Sequence, residues 1–138
     1  MNSAVRVSIL LGSAALVGCA SAQMPSEATG IALSPIPSQS VAVYQPKLVV
    51  KDGRLVLDGW VYRQFGSSTT TLTHLDVAFI DAAGRELRSE VTRFAPSALR
   101  FGSHKMAHRG HYTLPIAALP TGTASIQVRA HDSAEHQP

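Results

Sequence analysis

The stretch Lys47-Leu48-Val49-Val50-Lys51, Asp52-Gly53, Arg54-Leu55-Val56-Leu57-Asp58 decides the fold. Two runs rich in Val and Leu flank an Asp-Gly pair, which readily takes the positive torsions of a two-residue type I′ turn, and the twist of that turn suits antiparallel strands. The spacing therefore predicts a β-hairpin. Its second strand continues through Gly59-Trp60-Val61-Tyr62, where Gly59 is expected to mark a bulge or the close approach of another backbone. Trp60, the only tryptophan, is the expected core anchor.

Downstream, Phe65-Gly66-Ser67-Ser68-Thr69-Thr70-Thr71 has the composition of a loop, and Leu72 to Asp81 reads as a strand. Within that strand Leu75, Val77 and Phe79 share one face while His74 and Asp76 share the other. Asp81-Ala82-Ala83-Gly84 supplies a tight turn into Arg85 to Phe94, whose charges of both signs suit an edge strand. Residues 95–110 are irregular and long for a connection, a place where function tends to sit. His111-Tyr112-Thr113-Leu114-Pro115-Ile116 and Thr123 to Asp132 complete the set, the latter with Ala124, Ile126, Val128 and Ala130 facing inward. No long stretch has helical spacing. Six to seven short strands in one domain predict an all-β, antiparallel immunoglobulin-like or fibronectin-like sandwich, with a small barrel as the alternative. Leu55 to Tyr62, with its central Gly59, and Leu75 to Gly84, with its Asp-x-x-Gly turn, together resemble bacterial FxLYD-type and related Ig-like envelope domains. The aromatic run that names the family is absent, and the resemblance implies only the sandwich architecture.

The N-terminal region carries a different signal. Arg6 precedes an apolar run from Val7 to Val17, the charged-then-hydrophobic build of a secretory signal peptide, too short to span a bilayer. Leu16-Val17-Gly18-Cys19 then resembles the lipobox of bacterial lipoproteins. The resemblance implies cleavage after residue 18 and diacylglyceryl attachment to Cys19; in a Gram-negative source, Ala20 implies the outer membrane. At about 0.8 kcal/mol per buried methylene, two or three acyl chains would hold the protein on a membrane permanently. Cys19 is the only cysteine, so no intramolecular disulfide can form, and lipidation accounts for it. Ala20-Ser21-Ala22 before Gln23 offers an alternative small-x-small cleavage site that would discard Cys19. Residues 19–40, with Pro25, Pro35 and Pro37 among polar residues, read as the lipidated N-terminus and a flexible tether. By random-coil scaling it would hold the domain on the order of 25 Å from the lipid. Residues 41–132 are then the sandwich domain and 133–138 a frayed tail.

Twelve Lys and Arg against nine Asp and Glu give a net charge of +3, without the concentrated basic face of a nucleic-acid binder. The densest chemical cluster is His104-Lys105-Met106-Ala107-His108-Arg109-Gly110-His111. Imidazole with thioether suits copper, so His104, Met106, His108 and His111 are candidate metal ligands. Lys105 and Arg109 oppose a cation, and the spacing matches no zinc signature. The same region offers a basic, partly apolar surface of Arg93, Arg100, Lys105 and Arg109 with Phe94, Leu99 and Phe101, suited to anionic lipid or an acidic protein partner. Its plainer reading is that the three apolar residues close the end of the sandwich.

Hydrolytic signatures are missing: there is no Gly-x-Ser-x-Gly elbow, and Asp76 and Asp81 fall on opposite strand faces. His74 and Asp76 share a face and read as solvated. These residues together predict an exported, lipid-anchored envelope protein that acts without enzymatic activity as a binding or structural module. A periplasmic copper-binding protein is the alternative. Expected partners are the membrane, through the lipid, and an envelope protein or anionic lipid. No cofactor is expected beyond the covalent lipid, with copper in the alternative reading.

Overall fold

The computed structural model describes residues 24–25, 30–65, 69–100 and 108–132. Cys19 and the whole leader lie outside them, as do Phe101, His104, Lys105, Met106 and the tail 133–138. The described residues form a β-sandwich and no closed barrel. Its strands are β1 (Met24–Pro25), β2 (Ala32–Ile36), β3 (Val41–Lys51), β4 (Arg54–Arg63), β5 (His74–Asp81), β6 (Glu86–Thr92), β7 (Arg109–Ile116) and β8 (Thr123–His131). One sheet has the order β1-β2-β8-β5-β6 and the other β3-β4-β7.

The hairpin forms as the Asp-Gly pair requires. Lys51 pairs with Arg54, and Asp52 and Gly53 have φ of 50° and 72°, the positive values of a type I′ turn. Alternation then carries Leu57 and Val61 into the core beside Val43, Leu48 and Ile116, while Leu75, Val77, Phe79, Ile126 and Val128 line the facing sheet. The edge assignment of β6 also holds. Its Arg88 and Glu90 stand opposite the buried Phe79 and Val77 and so share the inner face. The Arg88 guanidinium lies 4.5 Å from the Phe79 ring centroid and 2.8 Å from Glu90. Inward-pointing charge of this kind deters a further strand from adding at the edge.

Three expectations need correction. The proline-bearing segment 19–40 is not all tether. Ile31 and Leu33 are core residues, and β2 pairs in parallel with β8, so the sandwich begins ahead of residue 41 and is not purely antiparallel. Proline is tolerated because β2 lies near the sheet edge, with only the two-residue β1 beyond it. Trp60 is not the core anchor, because the alternation that buries Leu57 and Val61 turns it to the outer face; the largest fully buried side chain is Tyr112. Finally, the close approach at Gly59 is made by a side chain. A β-carbon there would lie 2.5 Å from Tyr112 Oη and 2.7 Å from Cζ. A second glycine serves the same packing, since a β-carbon at Gly110 would lie 2.6 Å from the Phe94 ring. Phe94 and Leu99 are buried in the core, as the plainer of their two readings expects of them.

The connections are tied by side-chain oxygens. Thr70 Oγ1 donates to Ser97 O at 2.6 Å and accepts from Leu99 N at 2.8 Å, pinning the start of the long loop. Asp132 accepts from Ser38 Oγ, Ser40 N and Thr73 Oγ1, joining the β2–β3 corner to the entry of β5. Partial burial raises the Asp132 carboxyl, but these hydrogen bonds together outweigh it and hold the group below the ordinary carboxylate range.

These contacts set the expected stability of three variants. Gly59→Ala should cost about 1–3 kcal/mol in denaturant unfolding through overpacking against Tyr112. Tyr112 Oη is buried with no hydrogen-bond partner among the described residues, and burial, aided by Asp58, pushes its phenol above the ordinary range. Tyr112→Phe should therefore raise stability by about 1 kcal/mol and recover part of the Gly59→Ala loss in the double variant. For Asp132, a carboxyl depressed on folding stabilises the native state above its unfolded pKa of about 3.9, and that contribution is lost as pH falls through the lower folded value. Asp132→Asn should lower Tm at neutral pH, with the gap to the parent protein narrowing below about pH 4.

Candidate functional site

The outer face of the β3-β4-β7 sheet collects a group of aromatic side chains in two adjacent rows. Tyr44, Trp60 and His111 stand side by side across the three strands, and Ala42, Tyr62 and Arg109 form the next row. Residues directly opposite in neighbouring strands share a face, so register alone assembles this group. A bulge between Tyr44 and Lys47, with Gln45 at φ 44°, keeps both of those side chains outward. Three residues apart on a regular strand, one of the two would turn into the core; the bulge absorbs the odd residue.

The rings contact one another along and across the rows. Tyr44 and Tyr62 meet edge to face at 5.4 Å, and Trp60 lies 4.6 Å from the His111 ring. The Arg109 guanidinium sits 4.5 Å from the Trp60 centroid, a cation–π pair. His108 flanks Tyr62 at 6.4 Å. Asp58, one row further along, is held by Lys51 Nζ at 2.8 Å and by His111 Nε2 at 3.0 Å. Tyr44 is 49% exposed while Trp60 and Tyr62 are half-buried, so the platform offers an open phenol beside a partly covered indole with a cation fixed over it. Such a surface is suited to stacking and to charge-assisted hydrogen bonding.

The residues singled out from the sequence are distributed unevenly over this face. Arg109 and His111 belong to it and His108 borders it, whereas Arg93 and Arg100 are exposed in the β6–β7 connection. Of the four candidate copper ligands, His104 and Met106 lie outside the described residues. His108 and His111 have different aromatic partners, Tyr62 and Trp60. Tyr44, Trp60 and Tyr62 were missed as surface residues. For Trp60 and Tyr62, common parity with Asp58 beside a buried Leu57 and Val61 is the signal that would have found them, whereas the face of Tyr44 depends on the bulge.

A second group lies on the outer face of the other sheet. His74 is directly opposite His131 across the β5–β8 pair, and Asp76 is two residues along from His74 on the same face. His74 is buried, not solvated as its sequence position suggested, and its ring meets that of His131 edge to face at 5.1 Å. Asp76 also walls a shallow depression of about 280 Å³ bordered by Ala78, Ser89, Val91, Gln127 and Arg129. Compared with known proteins, the chain matches no family model, no curated protein and no solved structure.

Proposed function

We propose that this chain is an exported envelope lipoprotein, anchored through Cys19, whose sandwich acts by binding an acidic envelope protein on the face built by Tyr44, Trp60, Tyr62 and Arg109. The observation that carries the binding reading is the Arg109–Trp60–Tyr44–Tyr62 assembly itself. Trp, Tyr and Arg are the residues that dominate the energetics of protein interfaces, and here they are contiguous and mutually packed, with Tyr44 and Arg109 exposed to an incoming partner. Rigid rings lose little entropy on docking, and the fixed guanidinium together with a net charge of about +2 once Arg6 leaves with the leader favours a partner of opposite sign. The anchor reading is supported by the sequence Leu16-Val17-Gly18-Cys19 behind an apolar leader and by a single cysteine.

In cells fed an alkyne palmitate analogue, the chain should become labelled, with Cys19→Ser abolishing the label and releasing the protein from the membrane fraction. An unlabelled mature protein beginning at Gln23 would reject the anchor while leaving the binding face intact. For that face, a photo-crosslinker at Tyr44 in intact envelopes should give one defined protein adduct, and the same group at Val91, on the other sheet, should not. Trp60→Ala or Arg109→Glu should each weaken the association by about 1–3 kcal/mol, roughly ten- to a hundredfold, without unfolding the domain. An adduct pattern indifferent to both substitutions would count against the assignment.

A further inference from the structure

The remaining imidazoles point to a different activity, independent of the aromatic face. We infer that His74, Asp76 and His131 form a binding site for a late first-row divalent ion such as Zn²⁺. One ligand atom from each, the two ring nitrogens and a carboxylate oxygen, lies within 4.8 Å of the others. His74 Nε2 is 3.5 Å from Asp76 Oδ1, and His131 Nδ1 is 3.7 Å from Asp76 Oδ2. Both separations are longer than the usual 2.7–3.2 Å of a hydrogen bond and fall within ion-pair range, so the three groups converge on one locus. Donors about 2.0–2.2 Å from a shared tetrahedral ion stand about 3.4 Å apart; the two separations from Asp76, each to a different carboxylate oxygen, lie within a few tenths of an ångström of that, and the two imidazole nitrogens are within 4.8 Å of one another.

The donor set and its setting agree with that geometry. Two imidazoles and one carboxylate suit Zn²⁺, Cu²⁺ or Ni²⁺, whereas Ca²⁺ and Mg²⁺ take oxygen ligands throughout. His74 is only 3% exposed and its ring is held by backbone register and by the His131 ring, so little ordering would remain to be done on binding. His131 is 48% exposed on its side chain, which leaves an open quarter for water as the remaining ligand. Arg129 stands across from Asp76 on β8 and is exposed, and among the described residues it forms no ion pair with that carboxylate. Its charge opposes a cation, so its removal should strengthen binding.

The test uses the full chain purified without a polyhistidine tag, titrated with ZnCl₂ by calorimetry and with CoCl₂ by visible absorption. One Zn²⁺ per chain and the d–d bands of four-coordinate Co²⁺ are expected. His131→Ala and Asp76→Asn, both at partly exposed positions, should each weaken Zn²⁺ binding at least about tenfold. Arg129→Gln should tighten it, and the paired change His104→Ala and His108→Ala should leave it unaltered. No saturable Zn²⁺ uptake, uptake abolished by the His104 and His108 changes but not by His131→Ala, or sulfur-to-cobalt charge transfer from Cys19 would each overturn the assignment.

Discussion

The ring of Tyr112 lies on bare backbone at Gly59, and the arrangement of both faces of the β3-β4-β7 sheet follows from that contact. A side chain at position 59 would occupy the space that the phenol fills between the sheets. Gly59 holds the inner face at that row, and the same alternation turns its neighbours Asp58 and Trp60 outward, where they meet Lys51, His111 and Arg109. Packing inside and display outside are thus set by one alternation. The buried hydroxyl of Tyr112 is the cost of using tyrosine here, since it gains no partner among the described residues.

The two sheets end differently at their margins. The β6 edge turns Arg88 and Glu90 inward and leaves Leu87 and Val91 outside, an inversion of the usual order that makes the edge a poor template for pairing. The opposite margin is closed by the proline-bearing β2 with β1 beyond it. Between these margins, the outer face of the larger sheet carries the two histidines and Asp76, while the smaller sheet carries the aromatic platform. The proposed ion site and the proposed partner surface therefore lie on opposite faces of the sandwich, where each can be altered without disturbing the other.

Much of the fold was legible because short-range chemistry dictates it. Asp52 and Gly53 specify their turn whatever lies around them, and the alternation of Leu75, Val77 and Phe79, or of Ile126, Val128 and Ala130, requires one buried face. The segment around β2 misled because composition was the only local cue. Pro35 and Pro37 suggest a solvated coil, and what makes a strand there is the parallel alignment of Leu33 with Ile126, far away in the chain. Trp60 misled for a related reason: its size suggested burial, but parity with Leu57 and Val61 decides its face.

Read along the chain alone, the strands from Lys47 onward, their turns and most of their inward faces were legible, because those depend on backbone torsion and on a period of two; β2, the face of Trp60 and the exposed Ala124 were not. The sequence also carried the leader and the cysteine motif, which are read without any fold. Only the tertiary structure decided which strands became neighbours and in what register. That choice places His131 opposite His74, and Arg109 and His111 beside Trp60, from segments dozens of residues apart. Such pairings are fixed by the collective packing of two sheets, a property that no single stretch of the chain possesses.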